Sequence, residues 1–540
     1  MLRTRTASRA AAALLAAVFV VLTVACGGDG GPSKPSPSPD GSVTAVPTAT
    51  PGDGKVTPGL IDLAQVKPLL KVTAKNGGDL TSGSHSLVIG DFNNDAEGDL
   101  LIGAPNADGP ANERTDAGEA YVVFGPLSGD LDLAKETPDV TILGALPGDN
   151  LGHSARAGDL NGDGVDDILV GAPGVTAGFD PRTDQGRVYV FYGGDGLEDV
   201  YDLSNDVYDF TITGAEGFSR LGQSMALGDV NGDKANDLVV SAPFAGRKAG
   251  SPPGSPRTYV GEVYVVFGSR DLSGEANVAA LEQDVLISGA QERAEFGTAV
   301  GVTDLNGDGK ADIIVGERLG SPDQQRAGSG AAYVFKGRGT WDKRLSTGDD
   351  GQDGTIVGAR ASTQFGFPIA TGDFNGDGKG DVAIGAQLDG NEDIESSGIA
   401  RIFFGPAALR DIDLAKDNVD VTIQGADVAG LVPSALAAAD LDSDGASELI
   451  IGAMLAGRAD GRRSAGLVHT VRGGKGLKAM VDLGDTATGL TAIGATEDGK
   501  LGATVTAARL NANRAAVIAV APGKAESAPG VVYVIEVEVQ

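Results

Sequence analysis

An acid-rich loop of nine residues, set between two short apolar segments, occurs six times between residues 91 and 448. In the second copy, DLNGDGVDDILVGAP, Asp159, Asn161, Asp163 and Asp167 occupy loop positions 1, 3, 5 and 9. The six loops begin about 70 residues apart, at Asp91, Asp159, Asp229, Asp304, Asp373 and Asp440. A repeat of this kind predicts a series of similar units in place of several unrelated domains.

The spacing of oxygen-bearing side chains in these loops is typical of a calcium site. Calcium takes about six to eight oxygen ligands, and oxygens at positions 1, 3, 5 and 9 with a backbone carbonyl near 7 match the first part of an EF-hand loop. Asp, Asn and Gly also form good turns, but a turn alone does not need a charged residue at the start of each buried strand. We predict five calcium loops: Asp91, Asn93, Asp95 and Asp99; Asp159, Asn161, Asp163 and Asp167; Asp229, Asn231, Asp233 and Asp237; Asp304, Asn306, Asp308 and Asp312; and Asp373, Asn375, Asp377 and Asp381.

Two further copies of the loop depart from this pattern. The sixth candidate set, Asp440, Asp442, Asp444 and Glu448, keeps its acids but has the longer Glu at position 9. In a seventh copy, Arg509 occupies position 1 and the other ligands are lost. We expect no metal in the seventh loop.

Each unit contains four segments typical of β-strands, such as DLLIGAP, GEAYVVFG and DVTILGA after the first loop. Continuous apolar runs in the second segment indicate strands buried on both faces. The last unit ends after its third segment, and IDLAQVKPLLKVT at 61–73 resembles the sequence that leads into the fourth segment elsewhere. We therefore predict an all-β fold over residues 59–540. It is a seven-bladed β-propeller of four-stranded blades, closed by the N-terminal segment as the outer strand of the last blade.

The N-terminal residues predict export. Residues 1–25 combine Arg3, Arg5 and Arg9 with an apolar stretch, as in a signal peptide. LTVAC, which ends at Cys26, resembles a bacterial lipoprotein signal, except that Thr23 stands where Leu is preferred. Residues 26–58 are rich in Gly, Ser and Pro and predict a tether. We expect lipidation of Cys26 and an extracytoplasmic, membrane-anchored protein; simple cleavage and secretion is the alternative.

Charge and cysteine content exclude several classes of protein. A formal net charge of −32 argues against nucleic-acid binding. Cys26 is the only cysteine, so no disulfide can form within the chain. We find no Ser-His-Asp set, phosphate loop or HExxH motif. His153 lies at a position equivalent to that of His85, and His469 replaces an aromatic residue, so we expect structural roles for all three.

The repeats resemble the FG-GAP repeats of the integrin α-subunit head. Phe296-Gly297 and Phe365-Gly366 match the first half of that motif, and Gly103-Ala104-Pro105 and Gly171-Ala172-Pro173 match the second. The resemblance covers about residues 60–540. It implies calcium in hairpin loops on one face of a propeller and a binding role without catalysis.

Function is expected on loops between the second and third segments, which are long and variable. We hypothesise an anion-binding patch formed by arginines in these loops: Arg114, Arg182, Arg247, Arg257, Arg318, Arg326, Arg458, Arg462 and Arg463. The leading prediction is a monomeric, calcium-stabilised adhesion module that binds a protein or glycan at the cell surface and is not an enzyme. The alternative is an extracellular hydrolase or lyase acting on polysaccharide or lipid.

Overall fold

The computed structural model describes residues 59–80, 86–174, 185–215, 217–246, 258–322, 326–390, 397–425, 432–457, 462–484, 489–523 and 528–537. The predicted signal peptide, the tether and Cys26 lie outside these residues. His85, Arg182, Arg247, Arg257 and Arg458 also lie outside them. Their proposed roles therefore remain predictions from the sequence.

The described residues form seven sheets of five strands each, which we call blades 1 to 7. Blade 1 contains β3 (Leu87–Gly90), β4 (Asp99–Ala104), β5 (Glu119–Val123), β7 (Val140–Leu143) and β11 (Val200–Asp202). Blade 2 contains β8 (Ser154–Gly158), β9 (Asp167–Ala172), β10 (Arg187–Phe191), β12 (Phe210–Thr213) and β16 (Gly274–Asn277). Blade 3 contains β13 (Met225–Gly228), β14 (Asp237–Ala242), β15 (Glu262–Val266), β17 (Val285–Ser288) and β21 (Arg344–Ser346).

The other four blades repeat the same order of strands. Blade 4 contains β18 (Phe296–Thr303), β19 (Asp312–Glu317), β20 (Ala331–Phe335), β22 (Gly354–Val357) and β26 (Ile412–Asp413). Blade 5 contains β23 (Phe365–Gly372), β24 (Asp381–Ala386), β25 (Ile399–Phe403), β27 (Val421–Gln424) and β31 (Met480–Asp482). Blade 6 contains β28 (Ala435–Ala439), β29 (Glu448–Ala453), β30 (Leu467–Val471), β32 (Thr491–Ile493) and β1 (Leu60–Asp62). Blade 7 contains β33 (Thr504–Asn511), β34 (Arg514–Ala521), β35 (Val531–Val537), β2 (Leu70–Thr73) and β6 (Gly129–Asp132).

The blades form a closed ring around a central channel. The innermost strands β3, β8, β13, β18, β23, β28 and β33 contact one another in this order, and β33 contacts β3. Every residue of the second strand is buried in blades 1 to 6, because both faces of these strands pack against neighbouring blades. The prediction of an all-β, seven-bladed propeller is confirmed.

The prediction of four strands per blade was wrong, because each sheet has a fifth. The fifth strand pairs in parallel with the fourth strand of its blade and comes from the next repeat along the chain, as β11 does with β7. These strands are two to four residues long, and β11 buries one side chain. So short a segment carries no readable alternation of buried and exposed positions.

The N-terminal segment enters two blades. β2 pairs antiparallel with β35, with Val72 opposite Val532, and so supplies the fourth strand of blade 7. β1 pairs in parallel with β32, with Ile61 opposite Ala492, and supplies the fifth strand of blade 6. The assignment of all of residues 61–73 to the last blade therefore needs correction for Ile61 and Asp62.

Glycines of the repeat motif allow adjacent blades to touch through their backbones. A Cβ on Gly103 would lie 2.0 Å from the carbonyl oxygen of Gly152 in the next blade. Gly152 itself has a φ of +87°, which L side chains rarely adopt. Any side chain at Gly103 would force blades 1 and 2 apart.

The remaining regular structure of the described residues consists of short 3-10 helices. They span Pro110–Asn112, Leu203–Asn205, Val278–Ala280, Thr347–Asp349 and Gly405–Ala408. Asp202 caps the second of them by accepting a hydrogen bond from the Ser204 amide.

Candidate functional site

The acidic loops connect the first and second strands, and the acid at position 9 begins the second strand. Asp99 is fully buried; its Oδ2 accepts from the Phe92 amide and its Oδ1 from the Gly125 amide, each at 2.8 Å. Asp167, Asp237, Asp312 and Asp381 make equivalent pairs of bonds. Each carboxylate therefore joins the loop to a glycine that stands two residues after the end of the third strand.

Burial strongly affects the pKa of these carboxyls. Desolvation is the main cause of a raised pKa, which is about 6 for Asp99, Asp167 and Asp312 and about 7 for Asp237, Asp381 and Glu448. Hydrogen bonds from the backbone oppose the shift, while acids in the same loops raise the pKa further. A cation would relieve this repulsion and favour the charged form.

The side chains at loop positions 1, 3 and 5 form hydrogen bonds within their own loop. In the second loop, Asp159 Oδ1 accepts from the amides of Gly162 and Asp163, and its Oδ2 accepts from the Gly164 amide. Asn161 Nδ2 donates to Asp163 Oδ2 at 3.0 Å. Asp159, Asn161 and Asp163 therefore lie in one turn of the loop, whereas Asp167 accepts from the amides of Leu160 and Gly193. The three acids predicted as ligands in this loop, all of them described residues, do not form a close carboxylate group in the structure.

The donor set fits a hard divalent cation. Asn375 Oδ1 at position 3 of the fifth loop and Asp440 Oδ1 at position 1 of the sixth are buried oxygens without a hydrogen-bond partner in the structure. In the sixth loop, one oxygen each from Asp440, Asp442 and Asp444 lies within 4.8 Å of the others. Glu448 is not part of this group and accepts from the Leu441 amide at 2.9 Å. Side-chain oxygens of this kind are the ligands that calcium prefers.

Neighbouring acidic loops are joined by backbone hydrogen bonds. The amide of Ala311, at position 8 of its loop, donates to the Asp229 carbonyl at 2.7 Å. In the equivalent bonds of the next two loops, the Gly380 amide donates to the Asp304 carbonyl at 2.8 Å and the Ser447 amide to the Asp373 carbonyl at 2.6 Å. A change in one loop therefore acts directly on the next blade.

In blade 7, an arginine replaces the first acid of the loop. Arg509 Nη1 donates to the carbonyl of Leu441 in the sixth loop at 3.2 Å, and Nη2 donates to the carbonyl of Ala512. The seventh loop is thus held by a guanidinium that donates to backbone carbonyls, at the position where the other loops have an aspartate.

The loops between the second and third strands lie at the opposite ends of the strands. Here Arg114, Arg326 and Arg462 form ion pairs with Asp202, Asp413 and Asp62, at 2.6, 2.7 and 2.6 Å. Each arginine also donates to a carbonyl just after the fourth strand: Gly144, Gly358 and Gly494. The hypothesis of an anion-binding patch was wrong for these three arginines, because they fasten the fifth strands.

A sequence signal for this ion pair exists but was missed. Arg114, Arg326 and Arg462 each stand four residues before the glycine that precedes the third strand. Their partners Asp202, Asp413 and Asp62 share the local sequence Asp-Leu. The arginine pattern and the Asp-Leu pattern can be recognised as partners only when the fifth strand is known.

A pocket of about 150 Å³ lies among blades 2 to 5. Its lining includes His153, Gln223, Glu295, Arg318 and Phe367. Arg318 Nε donates to Glu295 at 2.5 Å, and its guanidinium lies 5.9 Å from the centre of the Phe367 ring. The Arg220 guanidinium, also in the lining, lies 5.1 Å from the centre of the Phe244 ring. The pocket thus combines aromatic, charged and neutral polar groups.

Both histidines in the described part of the chain have structural contacts. His153 Nε2 lies 2.7 Å from Gln223 Nε2, and burial, followed by the charge of Arg220, lowers its pKa to about 4. His469 Nδ1 lies 3.1 Å from Thr491 Oγ1, and burial lowers its pKa to about 4. Both imidazoles are therefore neutral at physiological pH.

No helix among the described residues is long and apolar enough to span a membrane.

Comparison with known proteins supports the repeat assignment. The FG-GAP repeat model matches residues 84–123, 151–191, 221–266, 296–335 and 365–402. Phosphatidylinositol-glycan-specific phospholipase D from Rattus norvegicus is 33% identical over 221 residues, which are 40% of this chain and 24% of that protein. Integrin alpha-5 from Xenopus laevis is 31% identical over 240 residues, which are 43% of this chain and 19% of that protein.

The similarity to these relatives is partial, since this chain spans a quarter or less of their length. Among solved structures, an exotype rhamnogalacturonan lyase aligns with a TM-score of 0.36 and 14% identity, over 86% of this chain and 75% of that chain. The matched repeats occupy blades 1 to 5 and contain their acidic loops. The protein is therefore a seven-bladed propeller that carries FG-GAP repeats and is similar to part of the integrin alpha chains.

Proposed function

We propose that this protein is an extracytoplasmic adhesion module, in which calcium stabilises the propeller and the face opposite the acidic loops binds a protein or glycan. The observation that carries the proposal is that the acidic loops and the pocket lie at different ends of the strands of one rigid ring. Acidic loops line one end of the strands, and a pocket with aromatic and charged walls lies toward the other. A rigid scaffold of this kind presents binding groups without an ordering cost.

Calcium would be held by the loop carboxylates and amides, and its role would be structural. When bound, it would supply positive charge that neutralises acids at the start of buried strands. Because neighbouring loops share hydrogen bonds, filled loops would support one another around the ring. The donor types and the unpartnered oxygens of Asn375 and Asp440 support this role.

The pocket is sized for one sugar ring or one amino-acid side chain. Phe244 and Phe367 offer apolar surface, while Gln223, Glu295 and Arg318 offer hydrogen-bonding groups at its walls. Such a mixture is typical of sites that bind small polar groups with an apolar face. A larger protein or glycan would extend from the pocket onto the surrounding loops.

Attachment to the membrane would come from Cys26 and the tether at residues 26–58, with secretion as the alternative. A single anchor of this kind would leave the propeller accessible at the cell surface. We expect the propeller to act as a monomer and to bind no nucleic acid, since it is strongly acidic.

The decisive experiment measures binding of the soluble chain without residues 1–26 to a glycan array and to intact cells, in calcium. Thr298→Trp places a large ring in the pocket and should abolish binding, whereas Lys343→Trp on the exposed outer edge of blade 3 should leave binding unchanged. Equal binding by the Thr298→Trp variant and the wild type would reject the pocket as the ligand site.

The second candidate is a lipid-acting hydrolase, which the similarity to phosphatidylinositol-glycan-specific phospholipase D favours. His153 contacts the side-chain amide of Gln223, which is not a nucleophile. His469 contacts the Thr491 hydroxyl, but His469 is only 5% exposed, so this pair is not presented to a lipid substrate. The hydrolase would be tested by release of a phosphatidylinositol-glycan-anchored reporter from vesicles. Release that is lost in His153→Ala would overturn the binding proposal.

A further inference from the structure

The central channel encloses a cavity of about 270 Å³ between the innermost strands of all seven blades. Its walls are aliphatic side chains, glycine and threonine, as at Leu227, Val302 and Thr371. Arg156 on β8 is the one charged residue among the residues that line this cavity.

The arginine lies at a level where the other blades carry small or uncharged residues. It is the third residue before the start of its acidic loop, and the same position in the other blades is held by Val88, Ala226, Gly301, Ala370, Ala437 and Thr506. All of these residues line the cavity. Short side chains at this level leave space around the guanidinium that a full ring of large residues would occupy.

The guanidinium is only partly satisfied by the protein. Arg156 Nη1 donates to the carbonyl of Ala155 at 2.7 Å. Among the described residues, no carboxylate forms an ion pair with Arg156, and its Nε and Nη2 make no hydrogen bond to protein. Burial lowers its pKa to about 10, so the side chain still carries its charge at neutral pH.

Arg156 is partly buried, and its charge has no ion-pair partner among the described residues in a channel whose walls are largely aliphatic. An ion of opposite sign would therefore bind favourably beside it. The Nε and Nη2 groups form one edge of the planar guanidinium, and this edge matches two oxygens of a carboxylate, sulfate or phosphate. Lysine would offer charge but not this two-point fit.

We propose that the central channel binds a small free oxyanion, of the sulfate, phosphate or carboxylate type, on the Nε and Nη2 edge of Arg156. The site is separate from the acidic loops and from the pocket among blades 2 to 5. It does not depend on the proposed adhesion function. The bound anion would neutralise the guanidinium charge in the channel and so stabilise the folded ring.

The test uses the folded soluble chain in calcium and sulfate as the probe, with ionic strength held constant by sodium chloride. Isothermal titration calorimetry and thermal melting are measured for the wild type, Arg156→Gln, Arg156→Lys and a matched control, Arg344→Gln, which removes the same charge from an exposed position on β21. We expect the wild type and Arg344→Gln to bind sulfate and melt at higher temperature in it. Binding should weaken at least tenfold in Arg156→Gln and by less in Arg156→Lys.

Crystals soaked in selenate provide a measurement that does not depend on variants. Anomalous scattering from selenium beside Arg156 is the expected result. Absence of selenium from the channel, or equal sulfate binding by the wild type and Arg156→Gln, would overturn the proposal. If Arg156→Gln failed to fold, the selenate result would decide by itself.

Discussion

Arg114 and Asp202 come from consecutive repeats and form a two-point ion pair, with Nη1 to Oδ1 at 2.6 Å and Nη2 to Oδ2 at 2.9 Å. Arg114 extends from the loop between the second and third strands of blade 1, and Asp202 ends the fifth strand of the same blade. The pair therefore fastens blade 1 to the repeat that follows it, as the equivalent pairs of Arg326 and Arg462 do for blades 4 and 6.

We predict that Arg114→Ala destabilises the propeller by about 1–2 kcal/mol, because the two-point pair is partly shielded from water and its loss leaves Asp202 without its ion-pair partner. The guanidinium holds the pKa of Asp202 well below its usual range. A carboxyl with a depressed pKa contributes stability above its unfolded value, and this contribution is lost as the pH falls. The difference between the variant and the wild type in urea unfolding should therefore shrink in acid.

Lys67→Ala is the matched control for this prediction. Its ion pair with Asp130 is 3.6 Å long and largely exposed, so we expect a loss of less than about 0.5 kcal/mol. A double-mutant cycle with Asp202→Ala separates the pair from other effects of the substitutions. An interaction energy near zero would contradict the role given to Arg114.

The second prediction concerns closure of the ring by β2. Leu70→Ala removes a buried side chain from the cluster that joins blades 7 and 1, and it should cost about 2–4 kcal/mol by leaving a cavity. Val200→Ala on β11 is the control, because Val200 is 53% exposed and should cost little. Hydrogen exchange should show the amides of β35 losing protection first in Leu70→Ala. Unchanged protection in β35 would argue against closure through β2.

Much of this architecture was predictable because each repeat carries its own local signals. The second strands are read directly from runs such as DILVGA, whose six residues are all buried in β9. The position 9 acids were predicted to begin these strands, and Asp167 does so. The blade count followed from the repeat and from the resemblance of the N-terminal segment to other repeats.

Contacts between repeats could not be read in the same way. The fifth strands are too short to show a pattern, and the partner of Arg114 lies 88 residues away. Arg156 also gave no signal, because a single arginine in an inner strand does not reveal that six small or uncharged neighbours surround it. The fifth strands, the ion pair of Arg114 and the surroundings of Arg156 all depend on contacts between blades. The sequence of a single repeat does not show these contacts.

The third prediction concerns a buried acid in blade 4. Glu317 ends β19, where blades 1 to 3 carry alanine, and it accepts a hydrogen bond from the Tyr333 hydroxyl at 2.9 Å. Burial raises its pKa to about 8, while the bond from Tyr333 opposes the shift. The protonated form is therefore favoured in the folded state. The stability that this group contributes is present below its unfolded pKa and is lost as the pH rises through about 8.

Glu317→Gln replaces this acid by a neutral side chain of the same shape. We expect the variant to match the wild type near pH 5 and to be more stable at pH 9, by roughly 3 kcal/mol. The measurement is melting temperature as a function of pH. Glu113→Gln is the control, because Glu113 is exposed and should leave the pH profile unchanged. A wild-type profile that stays parallel to that of Glu317→Gln would show that Glu317 is charged in the fold.

The last prediction concerns calcium. If the acidic loops bind calcium, its removal by EDTA should lower the melting temperature, because the charges of the loop acids would then repel one another beside buried strands. At a calcium concentration about ten times Kd, each filled site stabilises the folded state by about 1.4 kcal/mol.

Asp163→Asn in the second loop should lower the number of calcium ions bound per chain, measured by calorimetry, by one. Asp444→Asn tests the sixth loop, where three carboxylates already converge. Asn513→Ala in the seventh loop, where Arg509 holds the backbone, should change neither stoichiometry nor melting temperature. Identical melting in calcium and in EDTA would reject the structural role of the metal, and with it the reason given for the six acids at the start of buried strands.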